Sequence, residues 1–369
     1  MKHRFAPARR PHWRASPTLS LGRGLAAILM LWLLAACEDT APPTAAVPAP
    51  LPERPRIALV MKTLTNPFFI EMEKGARRAE QELSLELLVR TAAQETSIEQ
   101  QIGIVDQLIR DRVAAIVIAP GDSVELIPVL KKAQDAGVLV VNIDNRLNPE
   151  LSRKVGLFGV PFISVDNEAG AYAAVRTVTA GVARPTAAAL IEGIRGAANA
   201  EDRKRGALRA LAENPHIRVV AQESANWKVD EGLTVAEGLF QRHPDLEILF
   251  CANDMMAIGA IKYLASAGRD GVRVVGFDAL EQARAAVRAG RLAATVDQQA
   301  AEQGYLGVVY AVKALNGGTL PAETLVETRV ITAATLGPDP GPAPGPAGPQ
   351  PPAAEPALPA HQPPARPSR

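Results

Sequence analysis

Two α/β lobes, each a doubly wound parallel sheet covered by helices, are predicted for the part of this 369-residue sequence that starts near residue 55. Three observations predict them. Apolar runs at 57–61, 113–119 and 137–143 lack the polar alternation of a half-exposed strand, as strands covered on both faces do. Helical stretches lie between such runs, as at Ile98–Arg110, where Ile102, Val105, Leu108 and Ile109 share one face. After an extended piece at 162–167 the strand–helix alternation starts afresh. Two runs of about four units make two similar lobes, not one long sheet.

Composition fits that size. At 47 % hydrophobic and 21 % charged residues, the chain can bury one large or two medium cores. A net charge of +1 implies no acidic polymer as partner, and nucleic acid is not expected. The two cysteines, Cys37 and Cys251, are far apart, so there is no disulfide framework and no metal-ligand cluster; neither a metal nor a cofactor is expected. Cys251 lies in the apolar run Ile248-Leu-Phe-Cys-Ala252 and reads as a buried structural thiol.

The elements follow in order. Arg4, Arg9, Arg10, Arg14 and Arg23 precede an apolar run at 25–34 that is too short to span a bilayer comfortably, so residues 1–37 read as a targeting segment. Its end, Leu34-Ala-Ala-Cys37, resembles the bacterial lipoprotein box, in which the cysteine becomes the lipidated first residue after cleavage; the other reading is an ordinary secretory signal with an incidental cysteine. Residues 38–54, rich in Ala and Pro, form a tether. The strand at 57–61 runs through a polar turn to Pro67, which suits the first position of a helix. Ligands in such folds sit at the carboxyl ends of the strands. Phe68 and Phe69 beside Lys62 and Asn66 therefore look like one wall of a sugar pocket, the other reading being that both rings are core. A helix at 124–136 follows, and another begins at Glu168. The second run has strands at 187–191, 217–221, 247–251 and 272–277, with helices at 199–213, 229–242 and 255–267. Residues 337–369 are Pro, Ala and Gly with little to pack, the composition of a disordered tail.

Six motifs appear in order: Asn66-Pro-Phe-Phe69, Asn142-Ile-Asp144, Arg203-Lys-Arg-Gly206, Asn253-Asp254-Met-Met-Ala257, Val275-Gly-Phe-Asp278 and Leu292-Ala-Ala-Thr-Val-Asp-Gln298. Together, over roughly residues 55–333, they resemble the ribose/galactose type of periplasmic sugar-binding protein, the substrate-capturing component of ABC importers. The resemblance implies a type I periplasmic binding fold whose lobes are joined by a three-segment hinge, with crossings near 164–166, 297–299 and 325–327. The amino-terminal lobe would then comprise 55–164 and 299–325, and the carboxy-terminal lobe 165–298 and 326–333. It further implies a monomer that takes up a monosaccharide or sugar alcohol in the cleft. The chain would work in the periplasm, lipid-anchored to a membrane through Cys37, and deliver its sugar to an ABC permease in the inner membrane.

The chemistry of such a site asks for carboxylates and amides to meet hydroxyls that donate and accept, a planar arginine fork, and aromatic rings for the C–H faces. Asp144 ends a strand and would be aimed into the cleft, with Asn145 beside it. Arg203 resembles the family's guanidinium that reaches the ring oxygen and a hydroxyl. Asn253 and Asp278 both follow strands, whereas Asp254 is expected to cap the helix beginning at Met255. Gln298 sits at a crossing, and Trp227 stands where the family has an aromatic opposing Phe68 or Phe69. Lys62, Asn66, Phe69 and Asp144 would hold the sugar on the first lobe; Arg203, Trp227, Asn253 and Asp278 on the second. Two positions depart from the ribose pattern: Lys62 replaces a small hydroxyl residue, and Asn145 replaces an arginine, with Arg146 one place later as its substitute. The stretch 148–160 reads as a lengthened loop. Another pentose, a hexose or a polyol therefore fits as well as ribose.

Other classes fare worse. Asp144 and Asp278 could form a catalytic carboxylate pair, but none of the five histidines falls in a cleft segment, and no phosphate loop, zinc spacing or nucleophile elbow appears. A sugar-responsive repressor would need a helix-turn-helix where this chain has its leader and tether. The alternative that stays open is a periplasmic sensor that presents a bound sugar-like signal to a chemoreceptor or sensor kinase.

Overall fold

The computed structural model describes residues 54–336; the leader with Cys37, the tether up to residue 53 and the tail beyond 336 lie outside the described residues. The first lobe opens with β1 (Arg56–Met61), α1 (Pro67–Leu83), β2 (Glu86–Thr91), α2 (Ile98–Arg110), β3 (Ala115–Ile118), α3 (Ile127–Asp135), β4 (Leu139–Ile143), α4 (Pro149–Val155) and β5 (Phe162–Val165). The second lobe follows as α5 (Asn167–Thr179), β6 (Thr186–Glu192), α6 (Ala198–Ala212), β7 (Ile217–Ser224), α7 (Val229–Arg242), β8 (Leu246–Cys251), α8 (Asp254–Ser266), β9 (Arg273–Val275), α9 (Glu281–Arg288) and β10 (Ala294–Asp297). The chain then returns with α10 (Ala300–Leu315) and β11 (Glu323–Val326) and ends on β12 (Arg329–Thr332).

The strand order is β2-β1-β3-β4-β5-β11 in one sheet and β7-β6-β8-β9-β10-β12 in the other. Each begins with the same doubly wound arrangement, so the lobes repeat one plan. All pairings are parallel except that of β12, which runs antiparallel to β10. Consecutive elements pass from one sheet to the other three times: after β5, after β10 and after β11. The central strands are mostly apolar because helices cover both faces; residues 57–61 of β1 are 0 % exposed.

Local chemistry explains the element starts that matter to the site. Asn66 accepts the Phe68 N–H at 3.0 Å and Pro67 takes the first helical position, which fixes where α1 begins. The stretch 148–160 is not a plain loop: Asn148 caps α4 by accepting from Leu151 N, and Gly156 ends it in the left-handed conformation. The returning helix α10 is seated on α1 through glycines. A Cβ on Gly75 would stand 1.7 Å from the Ala301 carbonyl oxygen, and one on Gly304 would stand 2.1 Å from that of Met72. Backbones meet there that no side chain could separate without moving a helix.

Candidate ligand-binding site

The first lobe supplies its wall from the carboxyl ends of β1, β2 and β4. Lys62, one residue past β1, places Nζ 2.8 Å from Asp144 Oδ2, and both side chains are 3 % exposed. The same ammonium lies 5.7 Å from the centre of the Phe69 ring, which meets Phe68 edge-on at 5.1 Å. Asp144 takes a positive φ of 62° just after β4, and its carbonyl accepts from Ser164 Oγ at 2.7 Å. That strained backbone turns the carboxylate inward. Asn66 donates through Nδ2 to Glu95 Oε1 at 3.0 Å. Glu95 keeps some solvent contact at the rim, yet desolvation raises its carboxyl above the ordinary range against the opposing pull of Lys62 and Asn66.

The second lobe answers with Arg203. It donates from Nε to Asn167 Oδ1 at 2.8 Å, from Nη1 to the Ala252 carbonyl at 2.9 Å and to Asp278 Oδ1 at 3.4 Å, and from Nη2 to Gln298 Oε1 at 3.3 Å. Its guanidinium also lies 3.8 Å from the Phe277 ring centre and 5.6 Å from that of Trp227. Burial lowers its pKa from the usual arginine value, opposed by Asp278, and raises that of Asp278 well above the carboxylate range, opposed by Arg203. Gln298 donates to Asp278 Oδ1 at 2.7 Å. Asn226 and Trp227 both have positive φ, which lays the indole across Gly193, where a Cβ would stand 2.0 Å from the ring.

These side chains converge. Lys62, Asn66, Phe68, Phe69, Asp144, Arg203, Trp227, Asn253, Asp278 and Gln298 line one narrow cavity of about 20 Å³, together with Glu95 and Asn199. Asn145 is not on the wall: it accepts from Asn199 N and donates to the Pro120 carbonyl, held there by the turn that follows β4. Arg146 does not take its place, since it stacks 4.1 Å from the Phe162 ring centre and pairs with Glu323. The capping role expected of Asp254 at the start of α8 falls to Asn253, which also keeps its place on the cavity wall. Asn253 Oδ1 caps the helix by accepting from Met256 N at 2.9 Å while its Nδ2 donates to the Trp227 carbonyl. Asp254 is the first helical residue, and it accepts from Thr295 Oγ1 at 2.8 Å and Leu280 N at 2.9 Å. Sequence reading missed Glu95 because β2 was not recognised, and the rule of strand carboxyl ends would have found it. Asn199 opens the predicted helix 199–213, and helical periodicity gives no sign that its side chain stands at the mouth of the cleft.

Among the described residues, five buried side-chain polar atoms find no hydrogen-bond partner, and three belong to this wall: Asp144 Oδ2, Asn199 Oδ1 and Trp227 Nε1. Asp144 Oδ2 has the Lys62 charge beside it but no aligned donor. Groups of this kind ask for a polar ligand. A larger groove of about 580 Å³ lies beside Glu71, Arg78, Glu281 and Arg284. Its arginines are already paired, Arg284 with Asp297 at 2.9 Å and Arg78 with Glu302 at 3.3 Å, and none of the five unpartnered atoms lines it. The narrow cavity between the lobes, with its unpartnered polar atoms, is the candidate site.

Asp254 anchors the turn that aims Asp278, where Asp278 and Ala279 take φ of 118° and 52°. Desolvation pushes its carboxyl up to about 7 from an ordinary 3.8. The folded state then binds more protons than the unfolded one between those values. This contribution to stability is present at low pH and is lost as pH rises toward about 7. We predict a melting temperature a few degrees higher near pH 5 than near pH 8, and a flatter profile in Asp254→Asn. Scanning calorimetry across that range checks it, and identical slopes in both chains would exclude Asp254 as the source.

A narrow polar cavity at the carboxyl ends of two parallel sheets, walled by both, defines a two-lobe binding protein that closes on a small polar ligand. The chain belongs to the family of the periplasmic binding protein domain, whose model matches residues 57–319. It is 41 % identical over 310 residues to the D-ribose/D-allose-binding protein of Pseudomonas aeruginosa, covering 82 % of this chain and 96 % of that one. It is 33 % identical to the D-allose-binding periplasmic protein of Escherichia coli, covering 74 % and 89 %. Among solved structures, an ABC transporter periplasmic solute binding protein from Actinobacillus succinogenes with bound D-allose is similar at a TM-score of 0.73 and 35 % identity, covering 77 % of this chain and 99 % of that one. The resemblance drawn from the six motifs therefore stands, and the protein is a binding protein and not an enzyme.

Proposed function

We propose that the protein binds a neutral monosaccharide or sugar alcohol in this cavity and delivers it to the permease of an ABC importer. One observation carries the reading: amides, carboxylates, an arginine fork and aromatic rings from both lobes converge on one narrow cavity, with polar groups still unpartnered. Charge narrows the ligand. Lys62 is held by Asp144 and Arg203 by Asp278, and Glu95 adds one further carboxylate, so the wall offers no free cation to a sugar acid or a sugar phosphate. The ligands named for the relatives, D-ribose and D-allose, support the sugar class.

The test is a thermal-shift screen of the mature chain against D-ribose, D-allose, other pentoses and hexoses, and polyols. A ligand at a hundred times its dissociation constant should add about 2.7 kcal/mol of stability. A hit fixes the sugar, whereas no shift with any of them would overturn the reading.

The protein is periplasmic, as its family is. We further infer that Cys37 carries the lipid that holds it at a membrane, a reading supported by Leu34-Ala-Ala-Cys37 after the apolar run. Cys37→Ser should move the chain from the membrane fraction of fractionated cells to the soluble one; an unchanged distribution would refute the anchor.

A further inference from the structure

The lobes touch across the mouth of the cleft at the start of α6, and the contact uses atoms that α6 itself leaves unsatisfied. The residue before this helix is Ala197, which has no side-chain acceptor. Its carbonyl takes the Ala200 and Glu201 N–H groups, so those of Ala198 and Asn199 are the donors left over. Both are met from the other lobe. Ala198 N donates to Ser123 Oγ at 3.0 Å, and Asn199 N donates to Asn145 Oδ1 at 3.3 Å. The same Asn145 oxygen accepts from Ser123 Oγ at 3.4 Å, and Asn145 Nδ2 is tied to the Pro120 carbonyl at 3.1 Å, so the two caps brace each other. Asn199 Nδ2 also reaches Asp144 Oδ1 at 3.5 Å, bringing a carboxylate to the positive end of the helix.

We propose that Ser123 and Asn145 form a helix cap that one lobe lends to the other, biasing the chain toward its closed form with or without a ligand. The inference rests on reading the chain as a two-lobe binding protein. Neither residue lines the cavity, so both act through α6, the helix that carries Asn199 and Arg203. When the lobes separate, the Ala198 and Asn199 N–H groups lose their acceptors and fall back on water. Each closing event thus recovers two helix-end hydrogen bonds besides whatever the ligand contributes. This gives Asn145 a role other than the ligand contact its place beside Asp144 had implied.

Hydrogen–deuterium exchange of the full mature chain tests the cap without any sugar, read on peptides covering Ala198 and Asn199. Wild type should exchange these amides about three- to tenfold more slowly than Ser123→Ala or Asn145→Ala, the loss of one hydrogen bond, and Ser123→Thr should restore the slow rate. Equal exchange in wild type and both alanine variants overturns the proposal. Asn145→Ala also loses the bond to Pro120; if that variant fails to fold, the two Ser123 variants decide. For whichever sugar binds, affinity should fall by a similar factor in Ser123→Ala, through faster release. Unchanged affinity there would equally overturn the cap. Should no sugar bind wild type, the proposed function fails while the exchange experiment still judges the cap.

Discussion

Arg203→Ala should bind the sugar at least about a hundredfold more weakly than wild type, the largest loss expected of any single substitution in the wall. The guanidinium is 3 % exposed and touches the hinge-side residues Asn167 and Gln298, the Ala252 carbonyl and Asp278 at once. Removing it deletes a guanidinium from the cavity wall and leaves Asp278 with Gln298 alone to offset its charge. Truncating one partner of a buried, hydrogen-bonded charge pair costs on the order of 2–5 kcal/mol in binding. Arg203→Lys should recover little, because an ammonium cannot span four acceptors from one plane. Calorimetric titration with the sugar identified by the screen reads the effect, with circular dichroism to confirm folding. An affinity within threefold of wild type would remove Arg203 from the site.

Lys62→Met should lower folding stability by roughly 3–5 kcal/mol, the cost of leaving a buried carboxylate without its counter-charge. Asp144 has little else: its Oδ1 receives only the long bond from Asn199, and its Oδ2 makes no aligned hydrogen bond. The double variant Lys62→Met with Asp144→Asn should recover much of that loss, since neither charge then remains buried. Urea unfolding of the three chains measures it. A loss below about 1 kcal/mol in the single variant, with no gain in the double, would mean that water reaches the pair.

How far the sequence could be read follows from what each signal depends on. Strand positions emerged because both faces are covered, which writes an uninterrupted apolar run, and Asp144, Asn253 and Asp278 could then be placed at strand ends. Glu95 escaped because the residues of β2, Glu-Leu-Leu-Val-Arg-Thr, carry polar residues as an edge strand does and gave no such run. That Asn253 and not Asp254 caps α8 could not be foreseen. Either side chain can cap a helix, and the choice was made by Thr295 and Leu280, which come from elsewhere in the chain to claim the carboxylate. Asn145 illustrates the same limit: its neighbour Asp144 turns inward on a positive φ while Asn145 turns toward Ser123, a difference of one backbone angle that composition does not encode. The residues that pairwise patterns identify are those one element positions alone.

The return of α10 and β11 to the first lobe after the second has been built has a consequence for how the molecule is made. A chain emerging amino end first displays α1 long before the helix that covers it arrives, and Arg78 and Glu302, which pair across the two helices, lie 224 residues apart in sequence. Until α10 arrives, the first lobe lacks one of the helices packed on β3 and β4, and β12 has not yet closed the second sheet. The first lobe thus gains α10 only after most of the second lobe has been made, and each sheet takes its final edge strand from the last residues of the described chain.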